Sequence, residues 1–318
     1  MQELLREVVF PALGGEAGAA EDAARIDVGA ERLAFTTDSF VVRPLFFSGG
    51  DIGKLAVCGT VNDLAMVGAR ARYLTLGLIL EEGLPLAALE RVIDSVARTA
   101  RTAGTEVVAG DTKVVERGRA DGLYINTSGV GVVPDGVEVS IAGVRPGDSL
   151  IVNGWLGDHG VAVLKDRGAF AFDLELESDC APLWPLVNDM LAAGTVHALR
   201  DPTRGGLAAA LKEMATASGV ELSVDESSLP VREGVRAVCE VLGLDPLYVA
   251  NEGKLLAAVP AGETDRVLEA MKSNPLGTDA RVIGRAAEGR RGRVTLAGSF
   301  GAPRILRMPS GEQLPRIC

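Results

Sequence analysis

The sequence predicts a protein of two domains that combine helices and strands, of the α+β or α/β class, followed by a flexible C-terminal tail. The length of 318 residues exceeds the usual size of a single domain. Hydrophobic residues make up 47% of the chain and aromatic residues only 4%, so aliphatic side chains must build the cores. Short β-branched runs alternate with amphipathic helical runs, and this pattern restarts at a Pro-Gly turn near residue 148. A ligand cleft is therefore expected between the two domains.

The predicted N-terminal domain, residues 1–148, opens with a helix over 1–10 and a loop rich in glycine and alanine. β-Branched and aromatic residues predict a strand over 33–42, and a helical spacing of apolar residues begins at Ile52. The domain is completed by strands at 72–82, 105–115 and 122–133 and by an amphipathic helix at 85–104.

The predicted C-terminal domain, residues 149–302, begins with a strand that follows the turn in "VRPGDSLIVNG". Its helices are predicted at 182–194, 207–219, 232–243 and 263–273, and its further strands at 197–201, 221–226, 254–259, 280–286 and 293–298. Residues 303–318 contain proline, glycine and three arginines against one acid, which predicts a mobile tail that carries Cys318.

The charge and hydropathy of the chain exclude several classes of protein. The net charge of −11 argues against binding of nucleic acid or of an anionic membrane, because either would need a basic face. No apolar run approaches the ~20 residues of a membrane span. The N-terminus lacks the basic residues and the apolar block of a signal peptide, so a cytoplasmic protein is predicted.

Three of the four cysteines are interpreted as structural core residues, and the fourth is not. Cys58, Cys180 and Cys239 are predicted to be core residues, since no CxxC pair exists and two histidines leave little for a zinc site. Cys318 lies beyond the last apolar run and is not four residues from the end, as a prenylation signal would require. It is therefore predicted to be a free thiol.

Three aspartates occupy positions where a carboxylate is costly. Asp38 and Asp111 end apolar strands, and Asp63 lies in "GTVNDLAMVG", a helix that is otherwise nearly all apolar. Each of them by itself could be a helix cap or a turn former. Taken together, they predict a site for a hard cation such as Mg²⁺ that in turn holds a nucleotide triphosphate.

Two lysines support an anion site. Lys54 follows "SGGDIG", a glycine-bearing loop that opens a helix, although this is not a Walker A motif. Lys113 is two residues after Asp111 and therefore on the same face of a strand. It is interpreted either as a phosphate clamp or as a surface lysine of an edge strand.

The second half of the chain supplies further candidates. "RDPTRGG" places a helix N-terminus where an anion could bind, and Asp201 could equally be a plain N-cap there. Glu252, in "ANEGKLLAAV", precedes an apolar strand and is interpreted as a general base or as an ordinary turn acid. His159 and His197 are predicted to be structural.

Several of these stretches together resemble a known family. "FTTDSFVV", "VVAGDTKVV", "DPTRGG", "NEGK" and the terminal "PRIC" occur in the order seen in the hydrogenase maturation carbamoyl dehydratases called HypE. The resemblance extends from about residue 20 to the last residue. The wider superfamily contains aminoimidazole ribonucleotide synthetase and thiamine-monophosphate kinase, which share its two-domain fold and its use of ATP.

The resemblance implies a specific reaction and specific partners. A carbamoyltransferase would load a carbamoyl group onto Cys318, and the chain would use ATP and Mg²⁺ to dehydrate it to a thiocyanate. The cyano group would then pass to iron held by a complex of two further maturation proteins, for the active site of [NiFe] hydrogenase. The resemblance also implies a homodimer formed through the N-terminal domains.

Residue roles follow from the same resemblance. The catalytic residues would be Cys318, Lys113 and Glu252. The ATP-binding residues would be Thr37, Asp38, Lys54, Asp63, Asp111 and Thr112, and the metal ligands Asp38, Asp63, Asp111 and Asp22.

Two alternatives stay open. A small-molecule kinase or synthetase of the same superfamily would keep the aspartates but would not need Cys318, and a non-catalytic scaffold would need neither. The family usually opens with a glycine-rich segment of the form HGxGG, which is absent here. Its absence is expected to reflect either a start codon assigned too far downstream or a truncation, and could weaken ATP binding.

Overall fold

The computed structural model describes residues 21–29, 31–171, 173–298, 303–308, 314 and 317. The helix predicted over 1–10 and the thiol of Cys318 lie outside these residues. Within them, no helix is both long enough and apolar enough to cross a membrane.

The first domain is built on a five-stranded sheet in the order β1-β2-β7-β5-β6. β5 and β6 are parallel, and the other neighbours are antiparallel. The strands β2, β5, β6 and β7 confirm the sequence predictions, whereas β1 lies in a stretch predicted to be loop. The strands are β1 (Ala24–Val28), β2 (Glu31–Phe40), β5 (Arg70–Glu81), β6 (Glu106–Val115) and β7 (Leu123–Val132), and a small separate pair is β3 (Phe46–Phe47) with β4 (Gly50–Asp51).

One face of this sheet, the inner face, is covered by helix α1 (Ile52–Met66), which is buried along nearly its whole length. Asp51 caps α1, because its carboxylate accepts hydrogen bonds from the backbone N–H groups of Gly53 and Lys54. Helix α2 (Leu86–Ala103) packs against α1 and makes the crossover between the parallel strands β5 and β6. The opposite face of the sheet, the outer face, has no helix against it among the described residues.

The second domain is built on a seven-stranded sheet in the order β14-β13-β10-β12-β8-β11-β9. Alternate residues of its strands pack against helix α5 on one face and against α4 and α7 on the other. Its strands are β8 (Ser149–Val152), β9 (Ala198–Arg200), β10 (Glu221–Asp225), β11 (Leu256–Val259), β12 (Arg281–Ala287), β13 (Val294–Ala297) and β14 (Arg304–Ile305). Its helices are α3 (Asp158–Asp166), α4 (Trp184–Ala193), α5 (Gly206–Ser218), α6 (Glu233–Leu242) and α7 (Thr264–Ser273).

Two elements of this domain fall where the sequence predicted none. Helix α3 begins after Gly157, whose positive φ of 85° favours glycine. Strand β14 lies in the segment predicted to be the start of the mobile tail. Its Arg304 pairs with Glu226 and Asp245, and the adjacent Leu306 is buried. Residues 303–308 therefore belong to the edge of the second sheet.

The two domains are joined through α1. The amide of Asn62, on this helix, donates hydrogen bonds to the carbonyl oxygens of Ala181 and Glu252, and its oxygen accepts one from the N–H of Leu183. Since Asn62 is buried, these bonds fix the inner face of the first sheet against the loops of the second domain. The residues considered next lie at this junction, which is called the cleft below.

Candidate active site between the domains

Three aspartates converge where the domains meet. Asp22 precedes β1, Asp63 lies on α1 and Asp201 follows β9. One carboxylate oxygen from each lies within 4.8 Å of the others. Within the part of the chain that the structure describes, these three form the one cluster of acidic side chains able to hold a metal ion. Carboxylate oxygens at such spacing are the donors that Mg²⁺ prefers.

Burial makes this cluster electrostatically strained. Desolvation and repulsion between the carboxylates raise the pKa of Asp22 and of Asp63 well above the ordinary range. Burial likewise raises the pKa of Asp201 to about 6, although the cation Arg200 opposes the shift. A bound divalent cation would offset this repulsion.

Arg200 and Thr36 organise the cluster. The guanidinium of Arg200 pairs with Asp22 and, at 2.8 Å, with Glu213. The hydroxyl of Thr36 lies 2.9 Å from both the Asp63 carboxylate and the backbone carbonyl of Asp22. Asp22 Oδ2 is nevertheless buried with no hydrogen-bond partner among the described residues. A buried carboxylate oxygen without a protein partner is chemically suited to bind a cation.

Asp38 stands at the edge of this cluster. It shares the inner face of the sheet with Thr36 and Phe40, because residues of a strand alternate between faces. Burial raises its pKa, and its charge contributes to the raised pKa values of Asp63 and Asp201. It therefore lies close enough to take part in the same site.

The other residues predicted to bind ATP lie around this cluster or apart from it. The amine of Lys54 donates to the carbonyl of Gly49 at 2.8 Å, at the start of α1. Thr37 points to the outer face, where its hydroxyl donates to the carbonyl of Thr127 and contacts Ser128.

Asp111, Thr112 and Lys113 lie on β6, an exposed edge strand of the first sheet. Three strand spacings of about 4.8 Å separate this strand from β2, which carries Asp38. Register with β5 places Asp111 and Lys113 on the outer face, whereas Asp38 is on the inner face. Within one copy of the chain, Asp111 is not part of the acidic cluster.

Glu252 lies in the cleft on the loop before β11. It is only 3% exposed, and its Oε1 has no hydrogen-bond partner among the described residues. Burial raises its pKa well above the ordinary range, with further contributions from Cys180 and nearby aspartates. The neighbouring Asp179 accepts the N–H of Glu252 and pairs with Lys254 at 3.2 Å, so the backbone at Glu252 is held firmly.

The end of the described chain reaches the same region. Ile317, which precedes Cys318, is 4% exposed and belongs to the apolar cluster that contains Phe40, Cys58, Cys180 and Ala250. Cys58, Cys180 and Cys239 are free and buried, as predicted. A hydrogen bond with Cys58, together with burial, raises the pKa of Cys180 well above the usual range, which favours a neutral thiol.

Sequence reasoning missed one central residue of this site. Asp201 was interpreted as an N-cap, yet its carboxylate completes the acidic cluster. The signal was present, since Asp201 follows a buried strand just as Asp38 and Asp111 follow apolar runs. Arg200, which pairs with Asp22, was not singled out either.

Comparison with known protein families shows the broad class of protein to which the chain belongs. Residues 20–133 match the N-terminal domain of AIR synthase related proteins, and residues 145–297 match their C-terminal domain. The chain is therefore an AIR synthase related protein that carries both domains of that class.

More similar relatives define the family. The carbamoyl dehydratase HypE of Rhodobacter capsulatus is 51% identical to the chain over 322 residues, covering 100% of this chain and 95% of the relative. A crystal structure of HypE in complex with ATP superposes with a TM-score of 0.87 at 45% identity, covering 100% of this chain and 96% of that one. A HypE–HypF complex gives a TM-score of 0.91 at 45% identity, covering 96% of this chain and 99% of the other. The chain belongs to the HypE family of carbamoyl dehydratases, as the sequence motifs predicted.

Proposed function

We propose that the chain dehydrates a carbamoyl group carried on the thiol of Cys318 to a thiocyanate, with consumption of ATP. The observation that carries this proposal is the burial of Ile317, the residue before Cys318, in the cleft between the domains. Its apolar cluster includes Ala250, two residues from Glu252. Glu252, whose buried Oε1 lacks a hydrogen-bond partner among the described residues, therefore follows closely in sequence on a residue of the cluster that holds Ile317.

The chemistry needs an activated oxygen and a base. An amide oxygen is a poor leaving group, and transfer of the γ-phosphoryl group of ATP to that oxygen makes it one. Glu252 is the proposed base: it takes one proton from the carbamoyl nitrogen as the oxygen is phosphorylated, releases it to solvent, and takes the second proton as phosphate leaves, so that a C≡N group stays on sulfur. Its raised pKa makes it a stronger base than an ordinary glutamate.

Mg²⁺ is the metal that the acidic cluster fits. Asp22, Asp63 and Asp201 would hold it with Asp38 at the edge of the site, and the bound ion would neutralise the charge of the ATP phosphates. Asp38, Lys54 and Asp63 are the side chains proposed to contact this ATP from the same chain. Thr37, on the outer face, and Asp111 and Thr112, on the edge strand β6, are proposed to contact ATP only at or across an interface with a second copy of the chain.

A homodimer is proposed through the outer face of the first sheet. Ile26, Val28, Phe35, Tyr73 and Ile79 form an exposed apolar group on this face. An apolar surface of this kind is typical of a protein–protein interface. Asp111 and Lys113 share the face, so any contribution of theirs to phosphate binding would be made at or across that interface.

Two partners complete the proposal. A carbamoyltransferase would load Cys318, which is supported by the existence of a HypE–HypF complex among similar structures. A two-protein complex holding iron would accept the cyano group. Both partners require the tail to leave the cleft, because a thiol inside the cleft cannot reach a second protein.

The variant Cys318→Ala tests this function against a small-molecule kinase or synthetase on the same fold. The variant should bind ATP with unchanged affinity and should form no thiocyanate when incubated with the carbamoyltransferase, its substrates and ATP. The substitution Cys239→Ala is the control, since that thiol is buried on helix α6 and is not proposed to carry the carbamoyl group. Normal turnover of a soluble substrate by Cys318→Ala would favour the kinase or synthetase.

A further inference from the structure

The described residues after 302 contact the body of the protein in two places. At the first, β14 pairs with β13, Leu306 is buried, and the hydroxyl of Tyr248 donates to the carbonyl of Arg307. At the second, Leu314 and Ile317 pack against the apolar clusters of the cleft. Ten residues follow Met308, and a fully extended segment of that length spans at most about 35 Å.

The second place involves a histidine that the proposed chemistry does not use. His159 lies on α3 and is completely buried, with its ring edge-on to Phe47 at 5.5 Å between centroids. Its Nε2 lies 2.8 Å from the backbone carbonyl oxygen of Ile317, and its Nδ1 lies 2.8 Å from the hydroxyl of Ser178. The imidazole thus links the body of the second domain to the residue before the thiol.

The hydrogen bonds around His159 determine its tautomer. A carbonyl oxygen can only accept, so Nε2 must carry the proton. Ser178 Oγ accepts the backbone N–H of Cys180 at 3.1 Å, which leaves its hydroxyl proton free to point at Nδ1. Burial lowers the pKa of His159, so the ring is neutral and Nδ1 can accept that proton. Each polar atom of the pair has a suitable partner.

We propose that His159, oriented by Ser178, is the docking residue of the C-terminal tail and positions Cys318 for dehydration. The contact is made to the main chain, so it fixes the backbone one residue before the thiol whatever side chain residue 317 carries. Among the described residues of the tail, release would break this hydrogen bond and withdraw the side chains of Leu314 and Ile317, while residues 303–308 stay on the sheet. His159 touches no reacting atom and is a positioning residue. Only the use of the docked thiol in dehydration rests on the proposed function; the docking contact itself does not.

The test measures how accessible the thiol of Cys318 is in the full-length chain, without partner or ATP. The rate of alkylation by N-ethylmaleimide is followed by mass spectrometry of the C-terminal peptide, with the three buried cysteines as internal references. His159→Leu removes the donor and should raise the rate up to about tenfold, the factor set by one ordinary hydrogen bond. His159→Gln retains a donor and should stay closer to the parent chain.

His197→Leu is the matched control, because that histidine pairs with Asp148 away from the tail. It should leave the alkylation rate unchanged. A folded His159→Leu chain with the parent rate would overturn the proposal. If His159→Leu does not fold, the variant Ser178→Ala is tested instead. It should raise the alkylation rate of Cys318 by a smaller factor than His159→Leu would. An unchanged alkylation rate in Ser178→Ala would equally overturn the proposal.

A second measurement separates this inference from the function on which it rests. In single-turnover dehydration of the carbamoylated chain, His159→Leu should lower the rate while leaving the KM for ATP unchanged. If the parent chain forms no thiocyanate but alkylation still responds to His159→Leu, docking stands and the proposed function fails. If the parent chain forms thiocyanate and alkylation does not respond, docking fails and the function stands.

Discussion

At the scale of single residues, the site is defined by carboxylates whose burial is unfavourable without a ligand. Asp22, Asp63 and Asp201 come from three distant parts of the sequence, and each has a raised pKa. Mutual repulsion of this kind is the expected cost of a site built for a cation. The energetic consequence can be measured with and without the metal.

The first prediction concerns Asp201→Asn. The pKa of Asp201 in the folded chain, about 6, lies above its value of about 3.9 in the unfolded chain. Asp201 therefore does not destabilise the fold below pH 3.9, and its ionisation lowers the free energy of unfolding as the pH rises through 6. At pH 7 without metal, the variant should therefore be more stable than the parent chain by about 1–3 kcal/mol. With Mg²⁺ and ATP bound, the parent chain should be more stable than the Asp201→Asn variant.

Thermal unfolding from pH 5 to pH 8, with and without Mg²⁺ and ATP, checks this prediction. The exposed Asp94→Asn serves as the control and should follow the parent chain under all conditions. Equal stabilisation of Asp201→Asn and the parent chain by Mg²⁺ would show that Asp201 is not a ligand.

The second prediction concerns Glu252→Gln. Loss of a general base lowers a rate by about 10²–10⁴-fold, so single-turnover dehydration should fall by at least about 10²-fold while ATP binding persists. Because the pKa of Glu252 is raised, the rate of the parent chain should decline with falling pH earlier than an ordinary glutamate would cause. The exposed Glu240→Gln is the control, and a similar small effect of both variants would remove Glu252 from the mechanism.

At the scale of elements, α1 and the loops that meet it decide where the functional side chains stand. Asp63 and Asn62 are adjacent on α1, so the residue that faces the cation and the residue that ties the domains together share one rigid helix. Gly253, next to Glu252, allows a close approach of backbones, since a Cβ there would lie 1.8 Å from the carbonyl oxygen of Asp179. The glycine of the "NEGK" motif thus has a steric reason.

The third prediction concerns Gly253→Ala. The added methyl group must push the loop of Asp179 away, which should lower the free energy of unfolding by about 2 kcal/mol and reduce dehydration by displacing Glu252. Gly262→Ala is the matched control, since a Cβ at that position meets nothing within 4 Å. Chemical denaturation of both variants provides the comparison, and parent-like stability of Gly253→Ala would contradict the steric argument.

Most elements were predictable from local patterns, and the exceptions have physical reasons. The long helices α2 and α5 and the strands β5 and β7 carry clear periodicity over ten or more residues. The helix α3 is short and buried almost all round, so it shows no polar face to reveal its period. Strand β14 has two residues and depends on pairing with β13, a contact that no local pattern records.

At the scale of the site, the sequence predicted that aspartates bind a cation, but it did not predict which aspartates lie together. Asp63 stood out as a charge in an apolar helix, whereas Asp201 had a sufficient local explanation as a cap. Only the packing of the two domains brings Asp201 to Asp22 and Asp63. Asp111 is the opposite case. It also follows an apolar run in the sequence, yet it lies on the edge strand β6 and is not part of the acidic cluster within one chain.

At the scale of the whole molecule, the outer face of the first sheet exposes apolar side chains and has no helix against it among the described residues. The fourth prediction is that Ile79→Glu, which puts a charge on this face, converts a dimer into a monomer. Val282→Glu is the matched control, since Val282 is a strand residue of the second domain with 36% exposure against 41% for Ile79. Light scattering coupled to size-exclusion chromatography gives the masses. A monomeric parent chain, or a dimeric Ile79→Glu variant, would contradict the proposed interface.

The central claim is that the substrate is made on the chain's own C-terminal thiol. The most direct measurement is mass spectrometry of the C-terminal peptide after incubation with the carbamoyltransferase, its carbamoyl donor labelled with ¹⁸O at the carbonyl, and ATP. Cys318 should first gain the mass of a carbamoyl group and then lose a mass equal to that of one labelled water, because its ¹⁸O leaves in inorganic phosphate and its two protons leave separately. A peptide that is never modified, or a label that stays on the peptide while ATP is consumed, would contradict this claim.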